Sequence, residues 1–146
     1  MTYNRTILLV EDNADDEALV RHALERTGVP CDLVVVRDGI DALDFLFARG
    51  EHTGRDTRVM PRIVIMDMKM PRLDGKRVVE IIRKDDRTRL VPIVILSLSV
   101  RDQEIVECYR LGANSFVRKA MEFSQFVETM KQVLHYWLVL NEAPPV

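Results

Sequence analysis

Five short stretches of the chain are apolar at almost every position: Ile7-Leu8-Leu9-Val10, Leu33-Val34-Val35-Val36, Ile63-Val64-Ile65-Met66, Ile93-Val94-Ile95-Leu96 and the weaker Ser115-Phe116-Val117. A strand apolar on both faces suits a parallel sheet covered on both sides. Between these stretches the spacing changes to three and four. Residues 14–27 put Leu19, Val20, Ala23 and Leu24 on one helical face, with Asn13 as N-cap and Gly28 and Pro30 as the stop. Residues 39–48 carry Ile40, Leu43, Leu46 and Phe47 behind a cap at Asp38, and Gly50 ends that helix. Residues 75–84 carry Val78, Val79, Ile81 and Ile82; residues 101–111 carry Ile105, Cys108, Tyr109 and Leu111 before Gly112. The last helix is the most regular, with Phe123, Phe126, Val127, Met130, Val133, Leu134, Trp137 and Leu138 on its apolar face. Residues 50–62 are polar and longer than the usual connection of about 2 to 6 residues, and read as a surface loop.

Strand and helix thus alternate five times, which predicts an α/β fold with right-handed crossovers. Five strands favour the flavodoxin-like (βα)5 three-layer sandwich, a parallel sheet in the order 2-1-3-4-5. Strands 1 and 3 are then neighbours, and the switch point between them is where such sheets bind ligands. The length of 146 residues fits one domain over residues 1–140, with residues 141–146 as a frayed tail. A net charge of -2 gives no ground for a nucleic-acid or membrane partner. No apolar run approaches the roughly 20 residues that span a bilayer, and the N-terminus lacks a signal-peptide pattern, so a cytoplasmic location is the default. Cys31 and Cys108 fit no metal spacing and read as reduced thiols, and His22, His52 and His135 are scattered.

The chemistry gathers at the strand ends. Strand 1 runs into Glu11-Asp12 and strand 3 into Asp67. Neighbouring strands lie about 4.8 Å apart, so three carboxylates converge. Two unit charges at 4 Å repel by roughly 4 kcal/mol at an effective dielectric near 20. A hard divalent cation relieves that repulsion, and Mg²⁺ fits because it takes few protein oxygens and keeps waters. Asp15, Asp16 and Glu17 read differently, as acids of a helix's first turn where the dipole favours negative charge. Strand 5 ends in Arg118-Lys119 and strand 4 in Ser97. Lys119 is placed to pair with Asp67 or a phosphoryl oxygen, and the Ser97 hydroxyl to hydrogen-bond the same oxygen.

The set VEDN (10–13), MDMKMPRLDG (66–75), ILS (95–97) and FVRK (116–119) closely resembles the CheY-like receiver domain of bacterial two-component response regulators, along residues 5–138. The resemblance implies a phosphoprotein of phosphorelay signalling, not an enzyme acting on a separate substrate. Asp67 matches the phospho-acceptor, Asp12 a direct Mg²⁺ ligand and Glu11 an acid that holds the metal through water. Lys69 would offer its backbone carbonyl to the metal. Lys119 matches the lysine that contacts the phosphoryl group, Ser97 the switch hydroxyl and Phe116 the switch aromatic. Pro71, Asp74 and Gly75 match the loop after the acceptor. The implied donor is a sensor histidine kinase, with Mg²⁺-dependent self-phosphorylation and autodephosphorylation, and the readout is the surface of helix 4, strand 5 and helix 5.

The ending YWLVLNEAPP, the loop before strand 3 and the start LLVEDNADDEALVRHAL resemble stand-alone receivers that serve bacteriophytochrome-type kinases, a subgroup that tends to dimerise through helix 4, strand 5 and helix 5. Four positions depart from the common pattern. Ala120 replaces a proline and leaves the usual cis peptide in doubt. Leu98 replaces a small residue at the mouth of the site, Lys69 and Ser99 sit where dephosphorylation is tuned, and Ser97 replaces a threonine. Three other readings compete. A haloacid dehalogenase-type phosphatase needs an aspartate where Lys69 stands. A flavodoxin needs a glycine- and hydroxyl-rich phosphate loop where EDNADD stands. A phosphorylation-independent pseudo-receiver scaffold is opposed by the intact acid set and favoured by Leu98 and Ala120.

Overall fold

The computed structural model describes residues 5–145; the start of the expected domain, residues 1–4, and the end of the expected tail, residue 146, lie outside them. The elements are β1 (Thr6–Val10), α1 (Ala14–Thr27), β2 (Asp32–Val36), α2 (Gly39–Leu46), β3 (Ile63–Asp67), α3 (Gly75–Lys84), β4 (Ile93–Ser97), α4 (Asp102–Leu111), β5 (Ser115–Arg118) and α5 (Phe123–His135). A 3₁₀ turn covers Gly50–His52, and a π-helical turn, Tyr136–Leu140, prolongs α5. All strands pair in parallel in the order β2-β1-β3-β4-β5. This is the flavodoxin-like topology that the alternation predicts.

The continuous apolar strands divide their side chains between two cores. Leu8, Val10, Val64, Met66, Ile93 and Ile95 pack against Leu43 and Leu46 of α2, Val78, Val79 and Ile82 of α3 and Cys108 of α4. Ile7, Leu9, Ile63, Ile65, Val94 and Leu96 point the other way, against Val20 and Ala23 of α1 and Phe126, Val127, Met130 and Leu134 of α5. The period of two along each strand therefore sends alternate residues to opposite helical layers. Burial on both faces is what makes β1, β3 and β4 read as unbroken apolar runs; the outer strands β2 and β5 are only partly buried.

The caps follow the expected chemistry. Asn13 Oδ1 accepts from the amides of Asp15 (2.9 Å) and Asp16 (3.1 Å). Asp38 Oδ1 accepts from the Asp41 amide at 2.9 Å. Gly28 and Gly112 close α1 and α4 in the left-handed conformation, at φ 69° and 116°.

Helix boundaries differ from the sequence reading at α2, α4 and α5, α4 by one residue, since Arg101 is its cap and Asp102 its first residue. α2 stops at Leu46, two residues before the expected end, because Ala48 turns left-handed (φ 55°) and the Arg49 amide reaches back to the Asp44 carbonyl at 2.8 Å. Gly50 does not end that helix; it opens the 3₁₀ turn. α5 changes pitch at Tyr136, where the Asn141 amide donates to the Tyr136 carbonyl at 2.7 Å and Arg62 donates to the carbonyls of Trp137 and Asn141, both at 3.1 Å. Phe123, placed on the apolar face by its spacing, is 71% exposed as the first residue of α5. The polar segment 50–62 is also pinned, since Arg55 donates to the carbonyls of Phe45 (2.6 Å) and Leu46 (3.0 Å) at the end of α2. No cis peptide occurs among the described residues, so the Lys119–Ala120 bond is trans.

Candidate functional site

The ladder continues one residue beyond each of three strands, and these extra rungs aim the site. The Glu11 amide donates to the Val36 carbonyl at 3.0 Å, the Met68 amide to the Leu96 carbonyl at 3.0 Å and the Lys119 amide to the Ser97 carbonyl at 2.8 Å. Glu11 is thereby turned inward and 1% exposed, whereas Asp12 faces solvent. After Asp67 the chain leaves through Met68 to Asp74 and comes back so that the Gly75 amide meets the Met68 carbonyl at 2.8 Å. A Cβ at residue 75 would lie 3.0 Å from the Asp67 carbonyl oxygen and the Met68 Cα. Glycine lets the loop return that closely. Asp74 then caps α3, accepting from the Arg77 amide at 3.1 Å.

Lys119 is the centre of the cluster. Its Nζ lies 3.1 Å from Glu11 Oε2, 2.9 Å from Asp67 Oδ2 and 2.6 Å from Asp16 Oδ2, and its side chain is 6% exposed. An ammonium has three N–H donors, and here each faces a carboxylate oxygen. Burial opposes the charge on Lys119, but the hydrogen bonds to Asp16 and Asp67 and the charges of Asp67 and Glu11 outweigh it, so its pKa stands above the ordinary lysine value. Burial pushes Glu11 the other way for a carboxylate, up to about 6; Lys119 opposes that rise and the Asp67 charge adds to it.

Glu11, Asp12 and Asp67 each offer an oxygen within 4.8 Å of the others. Hard oxygen donors at this spacing fit a divalent cation such as Mg²⁺. Ser97 ends β4 on the strand beside Asp67; it is buried, and its Oγ accepts from the Ser99 amide at 3.1 Å. Phe116 pairs with Ile95 across β4 and β5 and packs, half-buried, on the core beneath α2, α3 and α4. Lys69 is exposed in the loop after β3, and Leu98 is 64% exposed. The fold therefore brings Glu11, Asp12, Asp67 and Lys119 together. Ser97 stands at the same sheet edge, Phe116 packs half-buried against the core, and Lys69 follows Asp67 by two residues with its side chain exposed.

Sequence reasoning missed Asp16, which it assigned to helix decoration. The available signal was direction: helical side chains lean towards the N-terminus of their helix, and the N-terminus of α1 opens on this pocket.

A doubly wound parallel sheet with this acid trio and lysine at the carboxyl edge of β1, β3 and β5 defines a receiver domain. The chain belongs to the response regulator receiver family of two-component systems: the profile of the response regulator receiver domain matches residues 7–131. It is 36% identical over 138 residues to the probable methanogenesis regulatory protein FilR2 of Methanothrix harundinacea, covering 94% of this chain and 86% of that one. Its fold matches the crystal structure of the phosphorylated cyanobacterial phytochrome response regulator RcpA with a TM-score of 0.90, at 31% identity over 98% of this chain and 100% of the other. The Mn²⁺-bound form of response regulator Rcp1, a Synechocystis protein, matches with a TM-score of 0.89 at 26% identity, over 97% and 99% of the two chains. The expected kinship with phytochrome response regulators is thus found in both sequence and fold. No helix among the described residues is long and apolar enough to cross a membrane.

Proposed function

We propose that Asp67 accepts a phosphoryl group from a phosphohistidine of a sensor histidine kinase of the bacteriophytochrome type. One observation carries this reading: the Asp67 carboxylate, presented by a buried strand, stands 2.9 Å from the Lys119 ammonium and within 4.8 Å of the Glu11 and Asp12 oxygens. An Asp67 oxygen attacks phosphorus, the P–N bond breaks, and the histidine nitrogen leaves with its electron pair. Lys119 donates an N–H to a phosphoryl oxygen as charge accumulates there. Glu11, Asp12, Asp67 and the Lys69 carbonyl would hold Mg²⁺, which when bound offsets negative charge on the transferring group. Hydrolysis of the acyl phosphate restores the carboxylate, so the cycle is a signal and not net catalysis on a separate substrate.

Once phosphorylated, the Ser97 hydroxyl turns to the phosphoryl oxygen and Phe116 follows it inward, which alters the α4–β5–α5 surface. A second copy of the chain is the expected occupant of that surface. The domain of this reading is residues 1–140, in the cytoplasm, followed by the tail from residue 141. Lys69, at the position where a haloacid dehalogenase-type phosphatase carries its second aspartate, disfavours that enzyme.

The test is intact mass after incubation with Mg²⁺ and phosphoramidate. Wild type is expected to gain one phosphoryl group, Asp67→Asn to gain none, and EDTA to abolish the gain. An unmodified wild type under every small-molecule donor would instead support a pseudo-receiver scaffold.

A further inference from the structure

Asp16 is the fourth carboxylate of the pocket and stands outside the trio that fits a metal. Its Oδ2 makes the shortest of the three contacts to Lys119 Nζ, 2.6 Å against 2.9 and 3.1 Å. It comes from the first turn of α1, whereas the other two come from strand ends. Its side chain is also the most exposed of the three, 27% against 16% for Asp67 and 1% for Glu11.

Building on the phosphoryl-transfer reading, we propose that Asp16 is a positioning residue that holds, in the unphosphorylated chain, the Lys119 N–H that a phosphoryl oxygen on Asp67 takes. The ammonium has three donors and all three are engaged. A phosphoryl oxygen can bind it only by displacing a carboxylate. Glu11 cannot be released to water from its buried position without rearrangement, and Asp67 itself carries the new group. Asp16 regains solvent at least cost. Its departure leaves Lys119 anchored by the remaining partners, so the lysine keeps its place over the acceptor. Asp16 also adds one negative charge beside the site where a phosphoryl dianion must enter. It therefore acts as a brake on phosphoryl binding, and the exchange couples the first turn of α1 to the phosphorylation state of β3.

The test compares wild type, Asp16→Asn and Asp16→Glu in Mg²⁺. Two quantities are read: the phosphoramidate concentration that gives half the maximal phosphorylation rate, against the maximal rate, and the calorimetric affinity for beryllofluoride, a mimic of an aspartyl-bound phosphoryl group. Asp16→Asn keeps the side-chain size and removes the charge. It is expected to lower the half-saturating phosphoramidate concentration about threefold or more and to tighten beryllofluoride by a similar factor, the scale of one partly exposed charge pair. Asp16→Glu, which keeps the charge, is expected to stay near wild type, and a loss of structure alone would move both variants. A half-saturation that is unchanged or raised in Asp16→Asn, or a lower maximal rate there, overturns the brake and makes Asp16 a support for the lysine. A wild type that takes up neither phosphoramidate nor beryllofluoride overturns the underlying reading and the brake with it.

Discussion

Arg72 shows how one residue can position a functional loop. It adopts a left-handed conformation (φ 64°), rare for a residue with a side chain, in the loop that follows the acceptor. Its guanidinium compensates by gripping α2: Nε lies 2.6 Å from Asp38 Oδ2, and the same terminal nitrogen lies 2.9 Å from Asp38 Oδ1 and 3.1 Å from Asp41 Oδ1. Asp38 thus caps α2 and anchors the loop together, in a two-pronged geometry. Burial pushes its carboxyl up, but the Arg72 hydrogen bonds and the Asp41 amide hold it below the usual carboxylate range. A lowered carboxylate stabilises the fold above its unfolded pKa of about 4, and that contribution fades as pH falls through the lower folded value. Asp38→Asn keeps a cap and loses the ion pair. Because Arg72 is half-exposed, the expected cost is about 1 kcal/mol at pH 7. Urea unfolding across pH should show the gap between wild type and variant shrinking below pH 4; a gap independent of pH would mean that the pair is not charge-based. The cap at Asp38 was legible from its place before an apolar run. Its partner, 34 residues away, was not, for local spacing carries no distance in the fold. Asp16 is a milder case: its place in a first turn is local, and its contact with Lys119, 103 residues on, is signalled only by the N-terminal lean of helical side chains.

At the level of elements, the strands were the most legible because burial on both faces leaves a continuous signal. Each observed strand lies within one residue of its apolar run at either end. Helix ends were less legible where tertiary contacts decide them. The guanidinium of Arg62 reaches the carbonyls at the end of α5, and no residue near Tyr136 announces that partner. Periodicity likewise placed Phe123 in the core, but as the first residue of α5 it is exposed, and it joins Val106 (46% exposed) and Tyr109 (49%) among the uncovered apolar residues of α4 and α5. These residues give the α4–β5–α5 surface an apolar component that a second copy would cover. A stable pair buries about 1,200–2,000 Å² in total, and aromatic anchors dominate such interfaces. Sedimentation over a hundredfold range of concentration should show dimers forming, more readily in beryllofluoride and Mg²⁺, with Tyr109→Glu shifting the midpoint upward at least tenfold. A monomer at every concentration, with and without the phosphoryl mimic, would rule out this pairing.

The whole molecule is tied together at the pocket, because its charged groups come from β1, α1, β3 and the end of β5, spanning Glu11 to Lys119. Glu11, Asp16 and Asp67 share one ammonium, and Asp12 adds a fourth carboxylate within 4.8 Å of the Glu11 and Asp67 oxygens, so the folded state gathers negative charge that the unfolded chain disperses. The pKa of Glu11, raised to about 6, comes first from its burial, with the Asp67 charge adding to the rise and Lys119 opposing it. A divalent cation bound only by the folded arrangement adds stability, RT ln(1 + [L]/Kd), or about 2.7 kcal/mol when its concentration is 100 times Kd. For a domain of this size each kcal/mol moves the thermal midpoint by about 2–4 °C, so saturating Mg²⁺ should raise it by roughly 5–10 °C. Sodium chloride at equal ionic strength separates general screening from binding, since an exposed charge cluster relaxes in any salt whereas a coordinated ion needs its own ligands. Asp12→Asn removes one oxygen of the trio without touching Lys119 and is expected to abolish most of the Mg²⁺-specific rise while leaving the response to sodium chloride intact. An equal rise from both salts, or a full Mg²⁺ response in Asp12→Asn, would place the cation elsewhere than between the ends of β1 and β3.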